Sequence, residues 1–274
     1  MPVSSRRSAC GNSDAGQAGA IDLSDPEQLF RAYRKLRVSL NQDPVFWWMR
    51  AAKFGVVAGK ATPLYNMEIG VIFQVVADTA SSFAMRSLEM VYTTDPRTGK
   101  RIDQLKSVYT GEMLPIKDVP VGPVTVEYFV DGGMKVAALP GSDIDVDDTR
   151  SGFTDGERVW ITETTNATVT SRQAERPPLF VSDLPTYQGL MADLSNQRLA
   201  SAPATVAFLD VSSWTQRMRM GERPGTMMTR GNGAKVATFA DMPASYQQLV
   251  KEVHPEIYKD PLAALERDAY VFDR

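Results

Sequence analysis

The sequence has one cysteine, Cys10, and one histidine, His254, among its 274 residues. A single cysteine excludes an internal disulfide and leaves no thiol cluster for a metal ion. A single histidine excludes a site built from several imidazoles. His254 precedes Pro255 near the end of a predicted helix, so a capping or surface role is favoured over catalysis. We therefore expect neither a metal nor a redox cofactor.

Motifs for bound phosphate and calcium are also lacking. The segment GVVAGKA (55–61) is one residue short of a phosphate-binding loop and has Ala61 where Ser or Thr is required. The segment RGNGAK (230–235) has too few glycines for a dinucleotide fingerprint and no helical pattern after it. The run DIDVDD (143–148) alternates like a calcium loop, but it has Asp148 where that loop requires Gly. An exposed acidic loop is favoured there.

Strong charge and long apolar runs are missing as well. The net charge is −3 and charged residues make up 23% of the chain, which gives no bias towards nucleic acid or an anionic membrane. No apolar run approaches the ~20 residues that span a bilayer. Arg6 and Arg7 are not followed by the apolar stretch of an export signal, so residues 1–20 are predicted to be a disordered tail. We expect a cytoplasmic protein, or a periplasmic one if this region is a degenerate twin-arginine signal.

A helix is predicted at the start of the ordered part, from Ser24 to Leu40. Ser24 and Glu27 have the spacing of a capping box, and apolar residues recur at helical intervals after them. Four basic residues lie largely off the apolar stripe and are expected on a solvated outer face: Arg31, Arg34, Lys35 and Arg37.

Strand signals dominate from Asp43 to about Thr170, where Val, Ile, Thr and aromatic residues are punctuated by turn residues. Turns at 95–100 and 130–135 indicate consecutive hairpins and thus an antiparallel sheet. A short helix is predicted within 184–195, and helices close the chain at 242–253 and 259–270. The prediction is a mainly β fold: a large antiparallel β-barrel or strongly curved sheet with an N-terminal helix and C-terminal helices, forming one domain over residues 21–274.

Large apolar side chains alternate with Arg, Tyr and Thr on four predicted strands, which favours a wet, aromatic-lined cavity over a dry core. These stripes include Phe46, Trp48 and Arg50; Met90 and Tyr92; Val126 and Tyr128; and Trp160 and Thr162. On this interpretation Trp48 faces the cavity, and Trp47 packs outward beneath the N-terminal helix. The alternative is that the stripes face solvent.

Four segments resemble domain-of-unknown-function family 1838, which is found widely in bacteria: FWWMRAAKFGVVAGKATPLYNMEIG; SLEMVYTTDPRTGKRID leading to YTGE; WTQRMRMGERPGTMMTRGNGAKVATFADMPASY; and VHPEIYKDP. The resemblance runs from about residue 21 to the C-terminus. It implies one continuous domain of bacterial origin, and it implies no particular reaction.

The leading hypothesis is an acid/base enzyme, a lyase or isomerase without metal or redox cofactor, that acts on a small hydrophobic aromatic compound. A lignin-type phenylpropanoid dimer that loses water or formaldehyde is one candidate. Glu89 and Glu163 are the candidate bases, and the candidate acids are Tyr92, Tyr109 and Tyr128. The predicted anion-binding residues are Arg50 and Arg219, and the predicted aromatic walls are Trp48, Trp160 and Trp214.

Strand alternation limits this set, because Glu89 and Tyr92 cannot both face inward on a regular strand, and neither can Glu163 and Trp160. Two other functions remain open. A barrel with an apolar interior would be a carrier or sensor of hydrophobic ligands, and aromatic stripes at the surface would form the interface of a homo-oligomer. Neither hypothesis involves nucleic acid or a membrane span.

Overall fold

The computed structural model describes residues 21–118, 120–137, 141–172 and 177–267. The predicted tail at residues 1–20, with Arg6, Arg7 and Cys10, lies outside the described residues, as does the end of the helix predicted at 259–270. The division of the chain into a tail and one domain stays a prediction.

Strands make up most of the described chain, with helices at both ends. The helices are α1 (Pro26–Arg37), α2 (Met191–Ser195), α3 (Ala244–Val253), α4 (Pro255–Lys259) and α5 (Pro261–Leu265). The strands are β1 (Val45–Val57), β2 (Lys60–Asp78), β3 (Ser82–Thr94), β4 (Gln104–Lys106), β5 (Met113–Pro115), β6 (Val121–Phe129), β7 (Met134–Val136), β8 (Ser142–Asp155), β9 (Arg158–Ser171), β10 (Leu179–Leu190), β11 (Thr205–Ser212) and β12 (Thr226–Val236).

Ten of these strands form one antiparallel sheet in the order β7-β6-β3-β2-β1-β12-β11-β10-β9-β8. The sheet curls into a nearly closed barrel, so the predicted fold class is confirmed. At the seam, the Gly133 amide donates to the Asp148 carbonyl over 2.8 Å, and Arg150 donates to the Gly133 carbonyl over 3.1 Å. Between β1 and β2 the chain reverses at Ala58 and Gly59, whose φ angles of 49° and 75° are those of a tight hairpin turn.

Helix α1 closes one end of the barrel. Its N-cap is Asp25, which accepts from the Glu27 amide over 2.9 Å, so the prediction of Ser24 as the cap is wrong. The apolar face, with Phe30, Tyr33 and Leu36, enters the interior.

The prediction of a solvated basic face on α1 is also wrong for three of the four residues. Arg34 donates to the carbonyls of Ser39 and Leu40 and pairs with Asp78. Lys35 donates to two main-chain carbonyls of the segment after β10, and it is only 2% exposed. Arg37 enters the barrel interior. Each cation is buried because it finds acceptors there, which offsets the loss of hydration.

Helices α3 to α5 cover the outer face of β1 to β3 and form a second hydrophobic core. Phe46, Ile72, Leu88 and Met90 pack there with side chains of these helices, including Tyr246. Because both faces of these three strands are buried, apolar residues occur on both. None of the described helices is long and apolar enough to cross a membrane.

Two further local predictions differ from the structure. The stretch 184–190, expected to begin a short helix, belongs to β10, and only Met191–Ser195 is helical. The acidic run at 143–148 lies on β8 rather than in a loop. In both stretches, hydrogen bonds to a neighbouring strand override the local turn and helix signals.

Candidate functional site

Polar side chains form a belt around part of the barrel interior. Six polar residues form a row across neighbouring strands, each paired with the next: Asp148, Thr165, Asp183, Asp210, Thr229 and Lys53. These six residues, on β8 to β12 and β1, point inward and are called the polar belt below. A continuous run of polar groups on the inner face of a sheet lowers the stability of the fold unless these groups are hydrogen-bonded, ion-paired or solvated.

Lys53 carries the positive charge of the belt. Its Nζ donates to Thr229 over 2.6 Å and lies 3.2 Å from a carboxylate oxygen of Asp210. The Lys53 side chain is 11% exposed and that of Asp210 is 24% exposed, although both face inward. The interior around this pair therefore includes space that water can reach.

Glu89 and Asp183 are carboxyls without a partner among the described residues. Neither makes a hydrogen bond or an ion pair with another residue in the described part of the chain. Glu89 faces inward because it pairs with the inward-facing Val71, while its neighbours Leu88 and Met90 pack in the outer core. Both carboxyls belong to half-buried residues, so they border the water-accessible space of the interior.

The protein surroundings raise the pKa of both carboxyls into the neutral range. Burial, and secondarily the negative charge of Asp210, raises the pKa of Glu89 to about 7, with Lys53 opposing the shift. Burial and the charge of Glu163 raise the pKa of Asp183 to about 7, with Arg37 opposing. Near pH 7 each carboxyl is therefore close to half-protonated.

Arg37 and Glu163 form an ion pair inside the barrel, next to α1. The Tyr33 hydroxyl donates to Glu163 over 2.9 Å and accepts from Arg37 over 2.6 Å. The Arg37 guanidinium also lies over the rings of Tyr128 and Tyr187, at 5.0 and 5.7 Å from their centroids. Its Nε is buried and has no hydrogen-bond partner among the described residues. Glu163 is thus held by Arg37 and Tyr33, whereas Glu89 has no hydrogen-bond or ion-pair partner among the described residues.

Tyr128 packs beside this pair, stacked on Phe83 at 5.3 Å between ring centroids. Burial raises the pKa of the Tyr128 hydroxyl, so it stays protonated. Asp148 of the belt pairs with Arg150, and burial raises the pKa of Asp148 to about 6. These groups enclose the α1 end of the interior.

Tyr109 and Trp214 meet at the other end of the barrel. Their rings are 5.5 Å apart in an edge-on arrangement, and both pack against the inner core. They lie on Gly55, where a Cβ would overlap with both side chains. The structure thus places five of the predicted site residues in the interior, but at different depths: Glu163 and Tyr128 near α1, Tyr109 and Trp214 at the opposite end, and Glu89 on β3.

The other five predicted site residues lie outside the barrel. Trp48 donates to Glu68 over 3.1 Å on the outer face, and Arg50 pairs with the same carboxylate. Arg219 forms an exposed pair with Glu112 at 3.3 Å. The placements expected for Trp48 and Arg50 are wrong because Trp47, not Trp48, faces inward. The Trp47 Nε1 donates to the Arg37 carbonyl over 2.9 Å.

Tyr92 and Trp160 are the remaining two outward residues, as strand alternation requires once Glu89 and Glu163 face inward. The Tyr92 hydroxyl lies 2.8 Å from His254 Nδ1 beneath the C-terminal helices. Burial lowers the pKa of His254, which fits a packing role at the junction of α3 and α4. Trp160 stacks on the exposed Phe153 with centroids 5.0 Å apart. Neither side chain reaches the interior carboxyls.

A family model described as "Protein of unknown function (DUF1838)" matches residues 41–270. The chain belongs to this family. The matched range begins after α1, later than the start of the resemblance at about residue 21. No curated protein matches the chain.

The DUF1838 description names no reaction, so the chemistry has to be argued from the interior. In the described part of this DUF1838 chain, no three Asp, Glu, His or Cys side chains are placed to hold a metal ion. Among the described residues, the interior offers carboxyls without a hydrogen-bond partner, the ammonium groups of Lys53 and Lys235, the guanidinium groups of Arg37 and Arg150, and tyrosine hydroxyls. Such groups are suited to proton transfer and to hydrogen bonding of oxygen atoms.

Four interior residues of this DUF1838 chain were missed in the sequence: Arg37, Lys53, Asp183 and Asp210. Lys53 shares strand parity with Trp47 and Ala51, so a charge on an otherwise apolar face was the available signal. Asp183 likewise lies on the same strand face as Tyr187, and Asp210 lies on the same strand face as Phe208. The signal was obscured because Trp48 was assigned to the inner face and the stretch around Tyr187 to a helix.

Proposed function

We propose that the chain is an acid/base enzyme, a lyase that acts without a cofactor on a small hydrophobic aromatic compound in the barrel interior. The observation that carries the proposal is the pair of unpartnered carboxyls, Glu89 and Asp183, with pKa values of about 7. Carboxyls tuned to the neutral range are typical of general acids and bases.

The proposed reaction is an elimination in which the two carboxyls have complementary protonation states. The ionised carboxylate takes a proton from a carbon atom of the substrate. The electrons of that C–H bond form a double bond, and the neighbouring C–O bond breaks. The protonated carboxyl gives its proton to the leaving hydroxyl, which departs as water. Lys53, beside Asp210, stabilises negative charge that develops on an oxygen atom during this step.

Aromatic and apolar side chains beside the carboxyls support an aromatic substrate. Phe73 and Phe208 belong to the inner core and are only half-buried, as is Met49. We retain a lignin-type phenylpropanoid dimer as the candidate substrate. Loss of water follows the elimination described above. For loss of formaldehyde, the ring phenolate first expels the benzylic hydroxyl, which is protonated and leaves as water, to give a quinone methide; a carboxylate then takes the proton of the terminal hydroxyl, the adjacent C–C bond breaks to release formaldehyde, and the electrons of that bond restore the aromatic ring as a phenolate. A benzylic leaving group fits such a site because the ring conjugates with the developing double bond.

A carrier of hydrophobic ligands is the less favoured function. That function requires an apolar interior, whereas Glu89, Asp183, Asp210 and Glu163 all face inward here. An interaction domain is supported only by the exposed stack of Phe153 on Trp160. Neither alternative accounts for unpaired carboxyls in the interior.

The test is a screen of the purified protein against phenylpropanoid dimers, with mass detection of products. We expect Glu89→Gln and Asp183→Asn each to lower turnover at least about 100-fold, the usual contribution of a general acid or base. Glu127→Gln is the matched control, because Glu127 is a half-buried carboxyl on the outer face of β6. Full turnover in both interior variants would show that these carboxyls are not the acid and base.

A further inference from the structure

A second polar group closes the barrel end that lies away from α1. Strand β1 begins near α1, where Trp47 contacts Arg37, and it reaches Gly55 eight residues later, about 26 Å along an extended strand. At Gly55 the interior is covered by the β4–β5 hairpin, which carries Tyr109, and by the segment after β11, which carries Trp214 and Thr215.

Three polar atoms in this cover lack a hydrogen-bond partner. The Tyr109 hydroxyl, the Trp214 Nε1 and the Thr215 hydroxyl are each buried, and none of them bonds to any residue in the part of the chain that the structure describes. Native proteins rarely bury such groups unpaired, because each then loses its hydration without compensation. The Tyr109 and Trp214 rings are in contact and Thr215 follows Trp214 in the chain, so the three groups indicate that a partner outside the described residues completes the site.

Close contacts with the main chain fix the positions of two of these groups. A Cβ on Gly55 would overlap with the Tyr109 hydroxyl and with the six-membered ring of Trp214. At Gly225 a Cβ would lie 3.1 Å from the same Trp214 ring. The indole is therefore held between two glycines, and the tyrosine hydroxyl lies directly against β1. These donors are held in place before any ligand arrives.

The nature of the three groups defines the partner that they require. An indole N–H can only donate, so the missing group accepts a hydrogen bond. Among the described residues, the inward-facing cations Lys53, Arg37 and Arg150 are already paired with Asp210, Glu163 and Asp148, which leaves none of the three to bind an anion and favours a neutral acceptor. Gly55 and Lys53 are on the same face of β1, about 7 Å apart, a span that one substituted benzene ring fills.

We propose that Tyr109, Trp214 and Thr215 form a subsite for a neutral ether or carbonyl oxygen on an aromatic ring. The ring lies between this subsite and the polar belt, with the Tyr109–Trp214 pair as its apolar wall. This inference rests on the proposed function, since it assigns the aromatic substrate an oxygen substituent that points away from the reacting carboxyls. The role of Tyr109 is then binding, and proton transfer is left to Glu89 and Asp183.

Two probes of similar shape test the subsite on the unaltered protein. Veratrole has two aryl ether oxygens, and 1,2-diethylbenzene has methylene groups in their place. With a ¹⁵N-labelled chain, we expect veratrole to move the indole N–H resonance of Trp214 downfield, because its ether oxygen accepts from that group, and we expect diethylbenzene, which has no acceptor, to leave the resonance in place. Binding of veratrole with no such movement would overturn the proposal and indicate that water satisfies the donors.

Variants separate this inference from the proposed function. Tyr109→Phe and Thr215→Val should each weaken veratrole binding about fivefold and leave diethylbenzene binding unchanged. Tyr258→Phe, in the outer core, is the matched control and should leave both affinities unchanged. Glu89→Gln should keep veratrole binding. If Tyr109→Phe and Thr215→Val leave veratrole binding unchanged while Glu89→Gln abolishes turnover, only the proposed subsite is wrong. If the same two variants weaken veratrole binding while Glu89→Gln and Asp183→Asn keep full turnover, only the proposed lyase activity is wrong.

Discussion

At the scale of single residues, the interior charges divide into two kinds. Arg37 and Glu163 are bound to each other and to the Tyr33 hydroxyl. Glu89 and Asp183 have no such partners among the described residues. The first kind contributes to stability, because removing one partner leaves a buried charge uncompensated. Burial of Glu89 and Asp183 without such partners lowers the stability of the fold, which is typical of functional groups.

Replacement of Glu163 by Gln should destabilise the fold. The Arg37 side chain is only 13% exposed, so it would keep a buried positive charge without a counter-ion. We expect the free energy of unfolding, measured with a chemical denaturant, to fall by about 3 kcal/mol. Glu112→Gln breaks the exposed pair with Arg219 and should change it by less than about 0.5 kcal/mol. Similar values for the two variants would contradict a structural role for the interior pair.

Asp183→Asn should stabilise the protein increasingly as the pH rises. The folded-state pKa of about 7 is above the unfolded value, so the folded protein binds more protons and wild-type stability is lost as the pH rises through 7. An asparagine resembles the protonated acid and does not ionise. We expect the stability gain of Asp183→Asn over wild type to grow by about 2 kcal/mol from pH 5 to pH 8.

The control for this pH dependence is Asp143→Asn. Asp143 is exposed, and its hydrogen bond and ion pair with Arg172 lower its pKa, so it is ionised throughout this range. Its effect on the free energy of unfolding should therefore be constant between pH 5 and pH 8. A constant difference for Asp183→Asn as well would show that Asp183 ionises at its ordinary pKa.

Strand alternation alone predicts that Glu89 and Tyr92 lie on opposite faces of the sheet, as do Glu163 and Trp160, and the structure agrees. Alternation could not identify which of Trp47 and Trp48 faces inward, because both faces of β1 are covered. Trp47 packs against Tyr187 inside, at 5.8 Å between ring centroids, and Trp48 packs near the C-terminal helices outside. That choice depends on contacts between distant parts of the chain, which no local pattern contains.

At the scale of elements, α1 acts as the plug of the barrel. Leu36 packs on Gly189 of β10 so closely that a Cβ there would overlap with it. The basic residues of α1 obscured this role in the sequence, because a buried cation is uncommon. Lys35 donates to the carbonyls of Leu194 and Asn196, and Arg37 pairs with Glu163. These acceptors are distant in the sequence, so they come close to α1 only in the folded chain.

Gly189→Ala should destabilise the docking of α1. The added methyl group overlaps with Leu36, so we expect a loss of about 1–3 kcal/mol in the free energy of unfolding. In a Leu36→Ala background the same substitution should cost much less, since the overlapping atoms are gone. A double-mutant cycle in chemical denaturation measures this coupling. A coupling energy near zero would contradict the close contact of α1 with β10.

Strand β10 shows why part of the site could not be predicted. Its polar and proline-containing sequence between Ser182 and Gln188 is weak in strand propensity, and it joins the sheet through bonds to β9 and β11. Asp183 faces Asp210 only through this pairing. The turns at 95–100 and 130–135, in contrast, follow from local residues and were predicted correctly: the first is closed by the Asp95 amide donating to the Lys100 carbonyl, and the second joins β6 to β7.

At the scale of the whole molecule, the barrel has a different chemical character in each of its regions. Aromatic packing around α1 closes one end, unpartnered hydrogen-bond donors lie at the other, and the polar belt lies between them. The curved antiparallel sheet was predictable from successive hairpins. The pairing of β1 with β12, which joins the two halves of the sheet, was not, because that contact joins residues about 180 positions apart.

The most direct test of this account is a carbon-13 titration of the side-chain carboxyls of Glu89 and Asp183, assigned by comparing wild type with Glu89→Gln and Asp183→Asn. We expect two carboxyl resonances to titrate near pH 7, and one of them to be absent in each variant. If both carboxyls titrate near pH 4, as exposed carboxyls do, the interior does not tune them, and the acid/base site proposed here is wrong.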